Sequence, residues 1–384
     1  MSDSRPRTLL VANPGADVYG SDLQMLETVS AMIASGWRVV VVLPGEGAGP
    51  LRERLAARGA EITTLRYPVV RRAALTPGGF ARLGVEAARD QFAVTGLLRR
   101  LRPDVVLVNT MTIPWWISGA RLARVPVICH VHEAEDADRR PVVLGLNAPL
   151  LLADLVIANS LTSKRAAEAA YPSLARKVVV VHNGIDDRPT PPIPADFSAR
   201  PFRLVTVSRL SARKGIDVAV HAVERLRESG QDVELDIVGT PFPGYEWYEQ
   251  ELREAASRPA LRDAVTFRGY ISPVWPAIDR AQVALFPSLR ESLGNAVVEA
   301  QLSLRPVIAT ATTGHMETVE DEVTGLQVPL SDADALADAV LRLMRDPELA
   351  RGLADRGRRS ALERFSVERF CQEVEKAIES VARR

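Results

Sequence analysis

Residues 285–300 read LFPSLRESLGNAVVEA. The apolar run Val283 to Phe286 has the length and composition of a buried strand, and Pro287 and Ser288 end it. Glu291 and Gly294 follow, and then a helix-like run, Asn295 to Leu302, that contains Glu299. A strand, a short polar turn and a helix start in succession form a βα unit. In α/β proteins the turn of such a unit is where a phosphate and its attached sugar can be held. Two carboxylates, Glu291 and Glu299, bracket that turn.

The unit repeats on both sides. Phe202–Val207, Glu234–Val238, Val265–Phe267, Val307–Ala309 and Leu326–Val328 read as further strands. Helical periodicity lies between them at Asp217–Glu228, Glu246–Ala256 and Ala333–Arg345. Upstream, Asp186 to Pro201 holds five prolines and cannot be a helix or a central strand, so it reads as a linker. Before it comes a second alternating series. Its strands are Thr8–Ala12, Arg38–Leu43, Glu61–Leu65, Asp104–Val108, Val125–Cys129, Leu155–Ala158 and Val178–Val181, with helices from near Ser21, at Leu51–Arg58 and at Phe80–Leu101. Val367 to Val381 is a long amphipathic helix. The expected fold class is α/β, with two Rossmann-like doubly wound parallel-sheet domains facing a cleft. The expected domains are 1–186, a Pro-rich linker at 187–201, a second domain at 202–365 and a C-terminal helix at 366–384 that crosses back to the first domain. No G-x-G-x-x-G follows the first strand, which weighs against a nicotinamide site.

Composition narrows the function. The 384 residues are 47% hydrophobic and 25% charged, ordinary for a globular protein. Lys plus Arg and Asp plus Glu both number 48, so no global charge points to nucleic acid. Residues 1–190 carry 23 basic and 18 acidic side chains, and residues 191–384 carry 25 and 30. The modestly basic first half would suit peripheral contact with an anionic membrane surface, the plainer alternative being ordinary surface charge. Two cysteines, Cys129 and Cys371, build no disulfide framework and fit a reducing cytoplasm. The start MSDSRPRTLLVA is not a signal peptide, and no apolar run is long enough for a membrane span.

Polar residues gather where strands end, the ligand side of an open α/β sheet. In the first half these are Asn109-Thr110, His130-Val131-His132-Glu133, Asn159-Ser160 and His182-Asn183-Gly184. In the second half, Arg209 and Lys214 follow a strand and precede Gly215 and a helix, which suits a diphosphate. The plainer alternative is two solvated loop cations. Glu299 has apolar neighbours, so it needs a partner, either ribose hydroxyls or an Arg. Backbone N–H groups of Leu293, Gly294 and Asn295 would face phosphate oxygens at the helix start. His130 and His132 share one face of a strand end, and either could hydrogen-bond a sugar or move a proton. Cys129 points the other way, so no metal site is expected there.

Together these stretches resemble the retaining GT-B glycosyltransferases of glycosyltransferase family 4. The resemblance runs from about Leu9 to Ala382. It is carried by VYGSDLQMLETVSAMIASGWRVVVVLP, PVICHVHE, DLVIANS, VVHNGID, VTVSRLSARKGID, LDIVG, VTFRGY and LFPSLRESLGNAVVEAQLSLRPVIATATTG. It implies that Arg209 and Lys214 hold the donor diphosphate, that Glu291 faces the donor sugar and that Glu299 holds the ribose. It also implies that Ser292, Leu293, Gly294 and Asn295 line the sugar and distal phosphate, and that Tyr270 and Ile271 contact the base. Gly20 would lie near the diphosphate and His132 near the reacting carbon, with His130 its rival in register. Acceptor contacts are expected at Asn109, His130, Trp115, Trp116 and the 67–80 loop. The implied donor is a nucleotide sugar and the acceptor a sugar, a lipid-linked molecule or a small molecule, with no cofactor, no metal and no nucleic acid. A nucleotide-sugar epimerase and a catalytically silent binding subunit of the same fold are the alternatives. The chain departs from the common pattern at Gly20-Ser21, where many members have Gly-Gly, and at Glu291-Ser-Leu-Gly, where Glu-Gly-Phe-Gly is common.

Overall fold

The computed structural model describes residues 5–16, 20–45, 49–70, 77–132, 140–242 and 244–382, with only the backbone at 77–88. The chain divides into two compact units, residues 1–184 with 367–384, and residues 185–366.

In the N-terminal unit seven strands form one parallel sheet: β1 Thr8–Ala12, β2 Arg38–Leu43, β3 Glu61–Thr64, β4 Val105–Val108, β5 Val127–Val131, β6 Leu155–Ala158 and β7 Val178–Val180. Their spatial order is β3-β2-β1-β4-β5-β6-β7. The order reverses between β1 and β4, which leaves a crevice beyond their carboxyl ends. Leu9, Leu10 and Val11 of β1 and Val105, Val106 and Leu107 of β4 are fully buried, as a sheet covered on both faces requires. One face packs on the helices Gly20–Ala34 and Val367–Val381 through Met25, Val29, Phe370, Val374 and Ile378. Gly184 lies against this last helix, where a Cβ would come within 2.8 Å of Phe370.

The C-terminal unit holds a six-stranded parallel sheet. Its strands are β8 Phe202–Val207, β9 Val233–Val238, β10 Val265–Gly269, β11 Val283–Phe286, β12 Val307–Thr310 and β13 Leu326–Val328, in the order β10-β9-β8-β11-β12-β13. Here the reversal falls between β8 and β11. Residues 187–201, read from the sequence as a linker, pack onto this unit instead. Phe197 is buried in its core, and the carbonyls of Ile193 and Asp196 accept from Arg305 and Gln282. Proline forbids regular structure there but not burial, because side chains supply the hydrogen bonds. The helices Trp115–Ala123, Leu161–Ala170 and Pro347–Phe365 carry weak or mixed periodicity and were not expected from the sequence. Among the described residues no helix is long and apolar enough to cross a membrane.

Candidate active site

The two crevices collect the polar residues. In the C-terminal unit the turn after β8 carries Arg209 and Lys214, and the turn after β11 carries Glu291. Gly215 lets the turns approach. It has φ +61°, and a Cβ there would lie 2.1 Å from the Pro287 carbonyl oxygen. The Leu289 N–H then donates to the Arg213 carbonyl at 2.8 Å, and Lys214 Nζ pairs with Glu291 Oε2. Both side chains are largely buried, at 17% and 13% exposed. Burial works against the Glu291 charge, but Lys214, His315 and Arg213 together outweigh it and hold the carboxyl below its ordinary value. His315 is buried beside the pair. Burial lowers it to about 4, with Lys214 adding to the effect and Glu291 opposing it. It is therefore neutral at physiological pH, with Nδ1 3.3 Å from the Thr310 carbonyl oxygen.

Gly294 caps the helix Asn295–Leu302 with φ +95°, a conformation open to glycine at little cost. Val297, Val298 and Ala300 are fully buried and anchor the helix, with Asn295 and Glu299 on its half-buried side; in the turn before it Leu293 is buried and Ser292 half-buried. Burial raises the Glu299 carboxyl to about 7. The Arg209 guanidinium lies over the Phe242 ring, 3.7 Å from its centroid. Tyr270 is 76% exposed beyond β10, and Ile271 is partly buried against the apolar cluster that includes Val205 and Val238.

In the N-terminal unit, His132 follows β5 and Asn109 follows β4. His132 Nε2 is 3.0 Å from Asn109 Oδ1, and Asn109 Nδ2 donates to Asn13 Oδ1 at 2.8 Å and to the Ser21 carbonyl at 3.4 Å. Asn13 Nδ2 in turn donates to Asp22 Oδ1 at 2.8 Å and to the Gly15 carbonyl at 3.1 Å. The Asn159 amide donates to the His132 carbonyl at 3.1 Å and itself accepts from Ser160 and Ser163. Burial lowers His132 to about 4. Gly20 opens the first helix on its exposed side, one residue before Ser21.

His130 is not available to an acceptor. β5 runs to Val131, two residues beyond the sequence reading, so His130 remains inside the sheet. It is fully buried, with its ring centroid 4.0 Å from that of His132 and 6.3 Å from that of Phe370. Burial pushes it well below the ordinary histidine range. Trp116 is likewise buried, edge-on to Tyr67, and the Trp115 indole donates to the Pro68 carbonyl. Residues 71–76 of the expected acceptor loop and Glu133 lie outside the described residues. Among the described residues no group of three or more His, Cys, Asp or Glu could hold a metal ion.

Residues 19–188 match the family model described as Glycosyltransferase Family 4, and residues 201–346 match the model described as Glycosyl transferases group 1. One match falls in each of the two parallel-sheet units, and together these units have the GT-B fold. Alpha-D-kanosaminyltransferase of Streptomyces kanamyceticus is 30% identical over 174 residues, 45% of this chain and 40% of that protein. D-inositol 3-phosphate glycosyltransferase of Xylanimonas cellulosilytica is 30% identical over 292 residues, 70% of this chain and 65% of that one. The matched region spans less than half the length of the first curated relatives, 40% to 45% of each. The same fold occurs in Anabaena Alr3699/HepE, solved in complex with UDP-glucose. That structure superposes with a TM-score of 0.79 at 22% identity, covering 97% of this chain and 99% of that one.

Sequence reasoning missed Asn13, Asp22 and His315. Asn13 was visible as the residue that ends the first strand, but a lone Asn there has many uses. His315 had no spacing signal, because it reaches Glu291 only through the fold.

Proposed function

We propose that the protein is a retaining glycosyltransferase that moves a sugar from a nucleoside diphosphate to an acceptor hydroxyl. The observation that carries this reading is the gathering of Arg209, Lys214, Glu291 and Glu299 around the switch point of one parallel sheet. Cleavage of the anomeric C–O bond builds negative charge on the departing diphosphate. Arg209, Lys214 and the start of the helix Asn295–Leu302 supply fixed positive charge to meet it, which is electrostatic preorganisation. That charge does the work a divalent metal would otherwise do, and the reading needs no cofactor.

The Lys214–Glu291 pair suits both partners. An ammonium has three donors, so one can stay on Glu291 while two face phosphate oxygens. The second carboxylate oxygen of Glu291 is then the acceptor for a sugar hydroxyl. Glu299 takes the ribose hydroxyls, and Tyr270 and Ile271 flank the base. His132 hydrogen-bonds the sugar near the reacting carbon. With Glu291 held by Lys214, this reading gives it no part as a nucleophile. Substitution then proceeds on the front face, a phosphate oxygen taking the acceptor proton and the configuration being retained. The HepE complexes with UDP and with UDP-glucose support a uridine nucleotide as the first donor to try. The acceptor is a sugar, a lipid-linked molecule or a small molecule, met in the cytoplasm or at the inner face of the membrane.

The test is isothermal calorimetry with UDP and GDP on the wild type, Arg209→Ala and Lys214→Ala. A lost charged hydrogen bond costs about 1.5–3 kcal/mol, or roughly ten- to hundredfold in affinity. Unchanged nucleotide binding in both variants would sink the site assignment. Product analysis with the β-phosphate-linked donor, following the anomeric proton by NMR, separates retention from inversion.

A further inference from the structure

The amide chain behind His132 has a direction that its own partners determine. A backbone carbonyl and a carboxylate only accept hydrogen bonds. Asn13 Nδ2 faces two such acceptors, the Gly15 carbonyl and the Asp22 carboxylate, so this side of the amide is the nitrogen and Oδ1 faces the other way. Asn13 Oδ1 must then receive a donor, which sets Asn109 Nδ2 towards it, and the Ser21 carbonyl sets the same orientation independently. Asn109 Oδ1 is thereby left facing His132 Nε2 at 3.0 Å. An amide oxygen can only accept, so the proton at that contact belongs to the imidazole. Both asparagines are buried, at 0% and 1% exposure, so water does not compete for these contacts. Their main chains are held as well. The Asn13 N–H donates to the Val42 carbonyl at 3.1 Å, the Asn109 N–H donates to the Ala12 carbonyl at 2.9 Å, and Tyr67 donates to the Asn13 carbonyl.

We infer that Asn109, oriented by Asn13 and Asp22, is a positioning residue that fixes His132 as its Nε2–H tautomer and makes Nδ1 the ring atom that accepts. This assigns Asn109 a different task from acceptor recognition, since both ends of its amide are occupied inside the unit. It also defines what His132 offers a sugar. With Nε2–H committed to Asn109, the other ring nitrogen, Nδ1, is buried in this structure and is an acceptor that presents a lone pair rather than an N–H. The burial that keeps His132 neutral at physiological pH is consistent with this role. The functional part of the inference rests on the proposed place of His132 in the transfer reaction; the tautomer does not.

The experiment is long-range proton–nitrogen correlation NMR on imidazole-labelled protein, which reads the protonated ring nitrogen of His132 directly. It is run on the wild type and on Asn109→Leu, a similar-sized side chain with no acceptor. The wild type should show the Nε2–H form alone, and Asn109→Leu should lose that preference. Turnover of UDP-glucose should then fall on the order of tenfold through kcat rather than KM, about what one lost hydrogen bond to the reacting sugar supplies. A wild-type His132 in the Nδ1–H form overturns the inference without any variant, so it stays testable even if Asn109→Leu does not fold. A variant that keeps the Nε2–H form alone also overturns it. A lost preference with unchanged kcat keeps the relay and removes His132 from the reaction instead.

Discussion

Replacing Glu299 by Gln should make the protein more stable and a poorer binder of nucleotides. Glu299 sits on the helix Asn295–Leu302 among the fully buried Val297, Val298 and Ala300, and burial raises its carboxyl from 4.5 to about 7. Between those values the native state holds a proton that the unfolded chain has released. Stability from this group is therefore complete below about pH 4.5 and is lost as pH rises through about 7. The rise spans about two and a half decades of proton affinity, each worth about 1.36 kcal/mol, so the upper bound is roughly 3 kcal/mol. The side chain is only half-buried, and hydration of its exposed part reduces the figure to about 1–2 kcal/mol. Urea denaturation of ligand-free wild type and Glu299→Gln at pH 5 and pH 8.5 measures it. The variant should be more stable by that amount at pH 8.5 and within about 0.5 kcal/mol of wild type at pH 5. Calorimetry on the same samples should show UDP bound roughly ten- to hundredfold more weakly, the loss of a charged hydrogen bond to ribose. A variant less stable than wild type at pH 8.5, or a difference independent of pH, would refute the reasoning.

Other perturbations bear on the same units. Lys214→Met should cost about 2–3 kcal/mol at pH 7 by stranding the buried Glu291 carboxylate, and adding Glu291→Gln should recover most of it in a double-mutant cycle. Because Lys214 holds Glu291 below 4.5, the wild-type contribution is present above that pH and lost on acidification, and a denaturation series at pH 7 and pH 4 should show that loss disappear in the variant. His315 is lowered from 6.5 to about 4, so its unfolded form takes up a proton first and stability falls as pH drops through that window. His315→Gln should flatten the slope by roughly 1–3 kcal/mol in the same titration. Phe370→Ala, at a fully buried position against β5 and Gly184, should destabilise the N-terminal unit by about 3–5 kcal/mol in thermal or chemical unfolding.

The strands were legible because buried parallel strands advertise themselves: β1, β2, β6, β8, β11 and β13 fall where the apolar runs stand in the chain. The helices Trp115–Ala123 and Leu161–Ala170 were not, since Pro114 with two tryptophans and the polar Thr162, Ser163 and Lys164 mask their periodicity. In the site, Arg209, Lys214, Glu291 and Glu299 could be named from residue type and position at strand ends. The ion pair between Lys214 and Glu291 could not, because it joins residues 77 apart through two turns that only the sheet order brings together. His130 and His132 looked equivalent because alternation puts them on one face. Only the extra length of β5 separates a core histidine from one at the crevice. The Asn13–Asn109 relay was invisible for the same reason as the ion pair, since β1 and β4 are neighbours in space and distant in sequence.

The helix Val367–Val381 belongs to the N-terminal unit, while everything from Ile185 to Ser366 belongs to the other. This sets an order of events during translation. The first 184 residues leave the ribosome with one face of their sheet still lacking Phe370, Val374 and Ile378. At about 5–20 residues per second, the intervening unit occupies on the order of ten seconds or more before that helix is made. A nascent chain thus exposes the apolar flank of β1, β5 and β6 for the whole synthesis of its second half. The unit whose strands come first in the chain is the last to be completed, and a chain stopped short of residue 367 holds a finished C-terminal unit and an unfinished N-terminal one.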